Sequence, residues 1–161
     1  MVREKEAKIS ALVYVASAIA LCFVHVPLVK VGICKDCTWT SRLLHPFFHA
    51  NIFHALVNCW ALLSVVFIFD LGLIDLALSY AAAVLVPVGM LGLTVPTVGC
   101  SGALYYLFGM LSFRTSKKLK WHLWWLFFIG IGFFFPASNA VLHLWCYGVG
   151  VLVGFLNSPI R

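Results

Sequence analysis

Long apolar runs broken by short polar stretches set the pattern of this chain, and six segments can be drawn, at roughly 9–30, 47–69, 72–93, 101–113, 121–135 and 139–157. The runs lack the strict apolar–polar alternation of a barrel strand, so each is expected to be a helix. Most approach the twenty residues that cross a hydrocarbon core of about 30 Å, and no internal repeat or low-complexity linker divides them. The pattern predicts an all-α membrane protein, a bundle of six transmembrane helices forming a single domain over residues 1–161.

Composition adds to that expectation. The chain is 63% hydrophobic and 10% charged, with a mean hydropathy of +1.05, which leaves few polar residues to cover a water-facing surface. The net charge of +6 does not point to nucleic acid, because the basic residues sit at the ends of apolar runs rather than along a stripe. Placing the N-terminus inside gives the cytoplasmic side Arg3, Lys5, Lys8, Arg114, Lys117, Lys118, Lys120 and Arg161, and leaves Lys30, Lys35 and Arg42 opposite. Both termini are therefore expected to be cytoplasmic. The apolar run after MVREKEAK is long enough to span and has no convincing small-residue cleavage site, so it reads as a retained first segment. The expected location is a multi-pass protein of a bacterial inner membrane.

The fourth segment is too short to cross. Ser101 lies thirteen residues before Arg114, about 20 Å above the inner boundary at about 1.5 Å per residue. The stretch LTVPTVGC before it is expected to be irregular backbone, tolerated at depth only when packed in protein or lining a wet cavity. Measured from Asp70, Asn58 lies about 18 Å up and His54 about 24 Å; measured from Asn157, His143 lies about 21 Å up. A serine, a histidine and an amide thus reach one level from three segments, which is the set that acyl transfer needs.

Gly99-Cys100-Ser101-Gly102 opens a helix, whose unpaired N–H groups suit a developing oxyanion, and the glycines allow close backbone approach. His143 is the histidine placed to act as base. Of five acids, Glu4, Glu6, Asp70 and Asp75 fall on the far side and only Asp36 lies in the outer loop, so a Ser–His dyad is expected in place of a triad. Tyr105, one turn after Ser101, shares its face and can stack on the imidazole. His54 and Asn58, four apart, face one way and offer oxyanion donors. His49 sits nearer the outer mouth and His45 nearer still.

Taken together, His49-x4-His54-x3-Asn58, Gly99-x-Ser101-Gly102-x2-Tyr105 and His143 followed by Gly150 resemble the motif set of the rhomboid proteases. The resemblance implies a six-helix rhomboid-like bundle around a water-filled cavity open to the non-cytoplasmic side. It also implies a serine endopeptidase that needs no cofactor and no metal. Its substrates would be peptide bonds in or near the transmembrane segments of membrane proteins, and its partners those segments and the lipid bilayer. By the same analogy Ser101 is nucleophile, His143 base, and His54, Asn58 and the Ser101 amide stabilise the oxyanion, with Gly99, Tyr105 and His49 in support. Segment five, WHLWWLFFIGIGFFF, would be a lateral gate. The chain departs from the family where Trp39 and Arg42 are separated, where the loop after segment one is short, and where Cys146 stands three residues after the histidine in place of glycine.

Other readings remain open at this level. A non-catalytic relative would bind membrane helices; a channel or transporter would also place polar residues at mid-depth. Cys34-x2-Cys37 with His45 and His49 has the ligand types of a zinc site, although an oxidising compartment would favour a Cys34–Cys37 disulfide.

Overall fold

The computed structural model describes residues 2–89, 92–135 and 138–158, the side chains of residues 2 and 3 excepted. Met90 and Leu91 of the third expected segment, the Arg3 side chain and Arg161 lie outside the described residues. Eight helices are present among them: α1 (Val2–Leu21), α2 (Leu28–Val31), α3 (Trp39–Leu44), α4 (Ile52–Ile68), α5 (Leu73–Val84), α6 (Ser101–Leu111), α7 (Lys118–Gly132) and α8 (Ala140–Leu156).

The expected bundle of six membrane-crossing helices is corrected by these lengths. Among the described residues no helix is long and apolar enough to cross a membrane. The apolar runs are longer than the helices they contain. The first run breaks at Leu21, leaving charged residues over the opening turns of α1. The third stops at Val84, three residues before Pro87, whose ring disfavours helix in the residue ahead of it. α4 and α8 have 17 residues each, about 26 Å of helix, while α5, α6 and α7 have 12, 11 and 15. The multi-pass location and the orientation built on those spans fall with them.

What organises the fold is α6. Of its 11 residues all but Ser101 and Tyr105 are buried, the pattern of a helix enclosed on nearly every side. It packs most closely with α8 and then with α5 and α4. At the α6–α8 seam backbones touch: a Cβ on Gly150 would collide with the Tyr106 carbonyl, and one on Gly109 with the Tyr147 carbonyl. Cys146, the departure from the family pattern, lies farther up this seam. Its Sγ stands 3.4 Å from where a Gly102 Cβ would be and reaches the Ala82 carbonyl at 3.8 Å. The thiol fills a gap among α5, α6 and α8 instead of forcing the last two apart.

Local chemistry fixes the helix starts. Asn51 Oδ1 accepts from the His54 N–H at 2.9 Å and caps α4, Asn139 Oδ1 accepts from the Leu142 N–H at 3.1 Å and caps α8, and Thr38 Oγ1 accepts from the Ser41 N–H at 3.1 Å and caps α3. Outer contacts are few. Lys8 pairs with Asp70 at 2.6 Å, and Arg114 stands 3.8 Å from Asp75, pairs that in the open contribute at most about 1 kcal/mol. The separated Trp39 and Arg42 meet after all, with the guanidinium 5.1 Å from the ring centroid and Nη1 donating to the Val86 carbonyl at 3.0 Å.

The stretch before Ser101 is irregular, as expected, and part of its polar backbone is paired. Ile33 and Thr97 exchange two hydrogen bonds of 2.8 and 3.0 Å, Lys35 N–H donates to Leu93, and Gly99 N–H donates to His45. The exterior stays strongly apolar: Phe23, Phe53, Trp60, Ile68, Leu119 and Phe134 are each more than 70% exposed, the composition of a surface that meets apolar partners.

Candidate active site

Ser101 is the first residue of α6, and its helix begins without a side-chain cap. The opening N–H groups of α6 are therefore left without intrahelical partners. Gly99 holds φ at +115°, a conformation side-chain-bearing residues rarely adopt, and so turns the incoming irregular segment onto the helix. A Cβ there would also meet His54 Cε1 at 2.9 Å and Asn58 Nδ2 at 3.2 Å, so the glycine makes room for both side chains.

The structure brings Ser101 and His143 together across α6 and α8, with Nε2 of the imidazole 2.8 Å from Oγ. His143 is 8% exposed. Tyr105 lies over its ring, with centroids 4.3 Å apart and planes 24° from parallel. Ser101 and Tyr105 are the two half-exposed positions of an otherwise buried helix, four residues apart and so on one face; that face carries the dyad. Among the described residues no carboxylate comes within ion-pair distance of His143; Asp70 and Asp75 are beside Lys8 and Arg114.

His54 and Asn58 flank Gly99 from α4, as their shared face requires. The Asn58 amide nitrogen is buried with no hydrogen-bond partner, a costly arrangement that a ligand oxygen would relieve. His49 packs edge-on against His54 at 5.1 Å, and both its ring nitrogens are buried and unpartnered. His45 is drawn elsewhere: its Nδ1 meets the Arg42 carbonyl at 2.7 Å, and burial pushes it down to about 4, with the Arg42 charge adding to the effect and that hydrogen bond opposing it. The outer-face zinc reading lacks support, since no group of three or more potential ligands gathers among the described residues. Cys34 and Cys37 are free thiols.

A cleft of about 400 Å³ has His54, Thr94, Thr97, Phe135 and Asn139 in its walls, while Ser101 and His143 are not among its lining residues. Sequence spacing did not anticipate two features around the site. Asn139 reaches Thr97 with its amide (2.8 Å), and an Asn just ahead of an apolar run was the available signal, because it marks a helix cap. On the far side of Tyr105, Trp125 of α7 stacks on Phe108 with centroids 3.5 Å apart, and Trp121 Nε1 donates to the Phe108 carbonyl at 2.7 Å. Half of segment five is thereby clamped to α6.

Comparison with known proteins finds no matching family model, no matching curated protein and no matching solved structure.

If the Asn58 amide is an oxyanion donor, Asn58→Ala should lower kcat by on the order of 10²–10³-fold with little change in KM. Its melting temperature should stay near wild type, because the donor lost has no partner in the folded chain. Parallel kinetics and thermal unfolding check this; a large fall in stability with unchanged kcat would assign Asn58 to packing.

Proposed function

We propose that the chain is a serine endopeptidase of the rhomboid type, acting through a Ser101–His143 dyad. The observation that carries the proposal is the 2.8 Å contact between His143 Nε2 and Ser101 Oγ. The uncapped helix start at the nucleophile and the unpartnered Asn58 amide add to it.

In this reading Nε2 takes the hydroxyl proton as Oγ adds to the substrate carbonyl carbon, forming a tetrahedral adduct with its negative charge on oxygen. The Ser101 N–H, Asn58 Nδ2 and the His54 ring offer donors to that oxygen. The imidazolium then gives its proton to the departing amine, the C–N bond breaks, and an acyl-serine remains. Water, deprotonated by the same nitrogen, attacks the ester and regenerates Ser101. Tyr105 holds the imidazole plane, the task an acid performs in a triad. The partners that suit this chemistry and the apolar exterior are transmembrane segments of membrane proteins and the lipid around them.

The test is labelling of the purified, detergent-covered chain with a serine-reactive fluorophosphonate, alongside cleavage of a single-span protein substrate. Wild type should be labelled and cut the substrate, and Ser101→Ala should do neither. Intact substrate together with an unlabelled wild type would defeat the proposal.

A further inference from the structure

We infer that Asn139 is a positioning residue for the dyad, whose amide ties the segment leading to the nucleophile to the helix carrying the base; this rests on the endopeptidase reading above. Both ends of the side chain are engaged. Oδ1 accepts from the Leu142 N–H and caps α8, while Nδ2 donates to Thr97 Oγ1 at 2.8 Å. The Thr97 hydroxyl hydrogen is directed to the Val95 carbonyl at 3.1 Å, which leaves its oxygen free to accept from the amide. Thr97 is itself held in place, since its backbone N–H and carbonyl are both bonded to Ile33.

The register of the tie matters. Thr97 precedes Ser101 by four residues and Asn139 precedes His143 by four, and the two contacts have the same sequence separation of 42. The tie therefore joins the same two chain segments as the dyad, just upstream of it on each.

At the other end of the seam, α6 and α8 are fixed by the backbone contacts at Gly109 and Gly150. Nearer the dyad the seam is closed by side chains, with Cys146 Sγ and Leu142 Cδ2 3.4 and 3.7 Å from where a Gly102 Cβ would be, and α6 has no side-chain cap to anchor its start. Asn139 adds a directional attachment upstream of the dyad, a hydrogen bond where the other contacts are packing. A hydrogen bond of 2.8 Å between Nε2 and Oγ tolerates little splay, and a misplacement of about 1 Å costs on the order of 10²-fold in rate.

The experiment is a double-mutant cycle on the full chain, read as the rate of Ser101 phosphonylation by a small fluorophosphonate, well below the melting temperature. Asn139→Ser keeps a capping oxygen but is too short to reach Thr97; Thr97→Val removes the acceptor. Each should slow labelling by about tenfold, and the double variant should be no slower than either single one, because they remove one interaction. Thr97→Ser keeps the acceptor and should label at the wild-type rate. A residue of purely structural value would lower the melting temperature without slowing labelling of the folded chain. Undiminished labelling of the single variants, or additive slowing of about a hundredfold in the double one, overturns the positioning role alone. A wild-type chain that resists the probe overturns the endopeptidase reading and this role with it.

Discussion

His143→Ala should lower kcat/KM for peptide-bond cleavage by on the order of 10⁴–10⁶-fold, and the Ser101→Ala/His143→Ala double variant should be no worse than either alone. The reason is that the two groups act as one device. Without Nε2 at 2.8 Å the hydroxyl keeps its proton and is a poor nucleophile. His143→Ala should also abolish phosphonate labelling while Ser101 itself remains in place. The variant's stability should fall only moderately, since the lost ring is buried against Tyr105 and leaves a cavity there. Steady-state cleavage of a single-span substrate, with thermal unfolding in parallel, provides the measurement. Substantial turnover by His143→Ala would mean that another base serves Ser101, and the dyad assignment would be lost.

The second large effect concerns packing. Gly150→Ala adds one carbon, yet that carbon has nowhere to go, because the Tyr106 carbonyl and the Met110 amide already occupy its position. Backbone cannot yield as a side chain can, so α6 and α8 must separate, and the expected loss is more than about 3 kcal/mol. Gly148→Ala, two residues earlier on the same helix, meets nothing within 4 Å and should stabilise the chain by about 0.5–1 kcal/mol through helix propensity alone. Denaturant unfolding of the pair measures both. Equal effects at the two positions would show that the seam is not where the helices are held.

Much of the site's proximity could be read from spacing. Ser101 and Tyr105 four apart, and His54 and Asn58 four apart, had to share faces once their segments were helical, and the structure places each pair as that spacing requires. The short fourth segment correctly foretold a helix beginning at Ser101 after irregular backbone. Segment length misled. Hydropathy counts apolar letters, and residues 22–27 and 85–89 are largely apolar without being helical, so runs that read as spans enclose helices too short or too charged to cross a membrane. Lost too was the enclosure of α6, since a helix apolar on every side looks the same in sequence whatever covers it. The bond from Asn139 to Thr97 links residues 42 apart, the separation of Ser101 and His143, but an asparagine ahead of an apolar run reads first as a cap and not as a tie.

The stacked Tyr105 has a consequence for the charged state of the base. In the proposed mechanism His143 takes the proton and becomes a cation in a pocket that no described carboxylate enters. The face of the phenol ring, its centroid 4.3 Å away, turns negative potential toward it, within the range where a cation–π attraction stabilises a desolvated charge by about 2 kcal/mol. In that reading the ring offers electrostatic stabilisation as well as support. It is the quadrupole that matters, so an aromatic face at position 105 meets the need with or without its hydroxyl, and an aliphatic side chain of equal bulk does not.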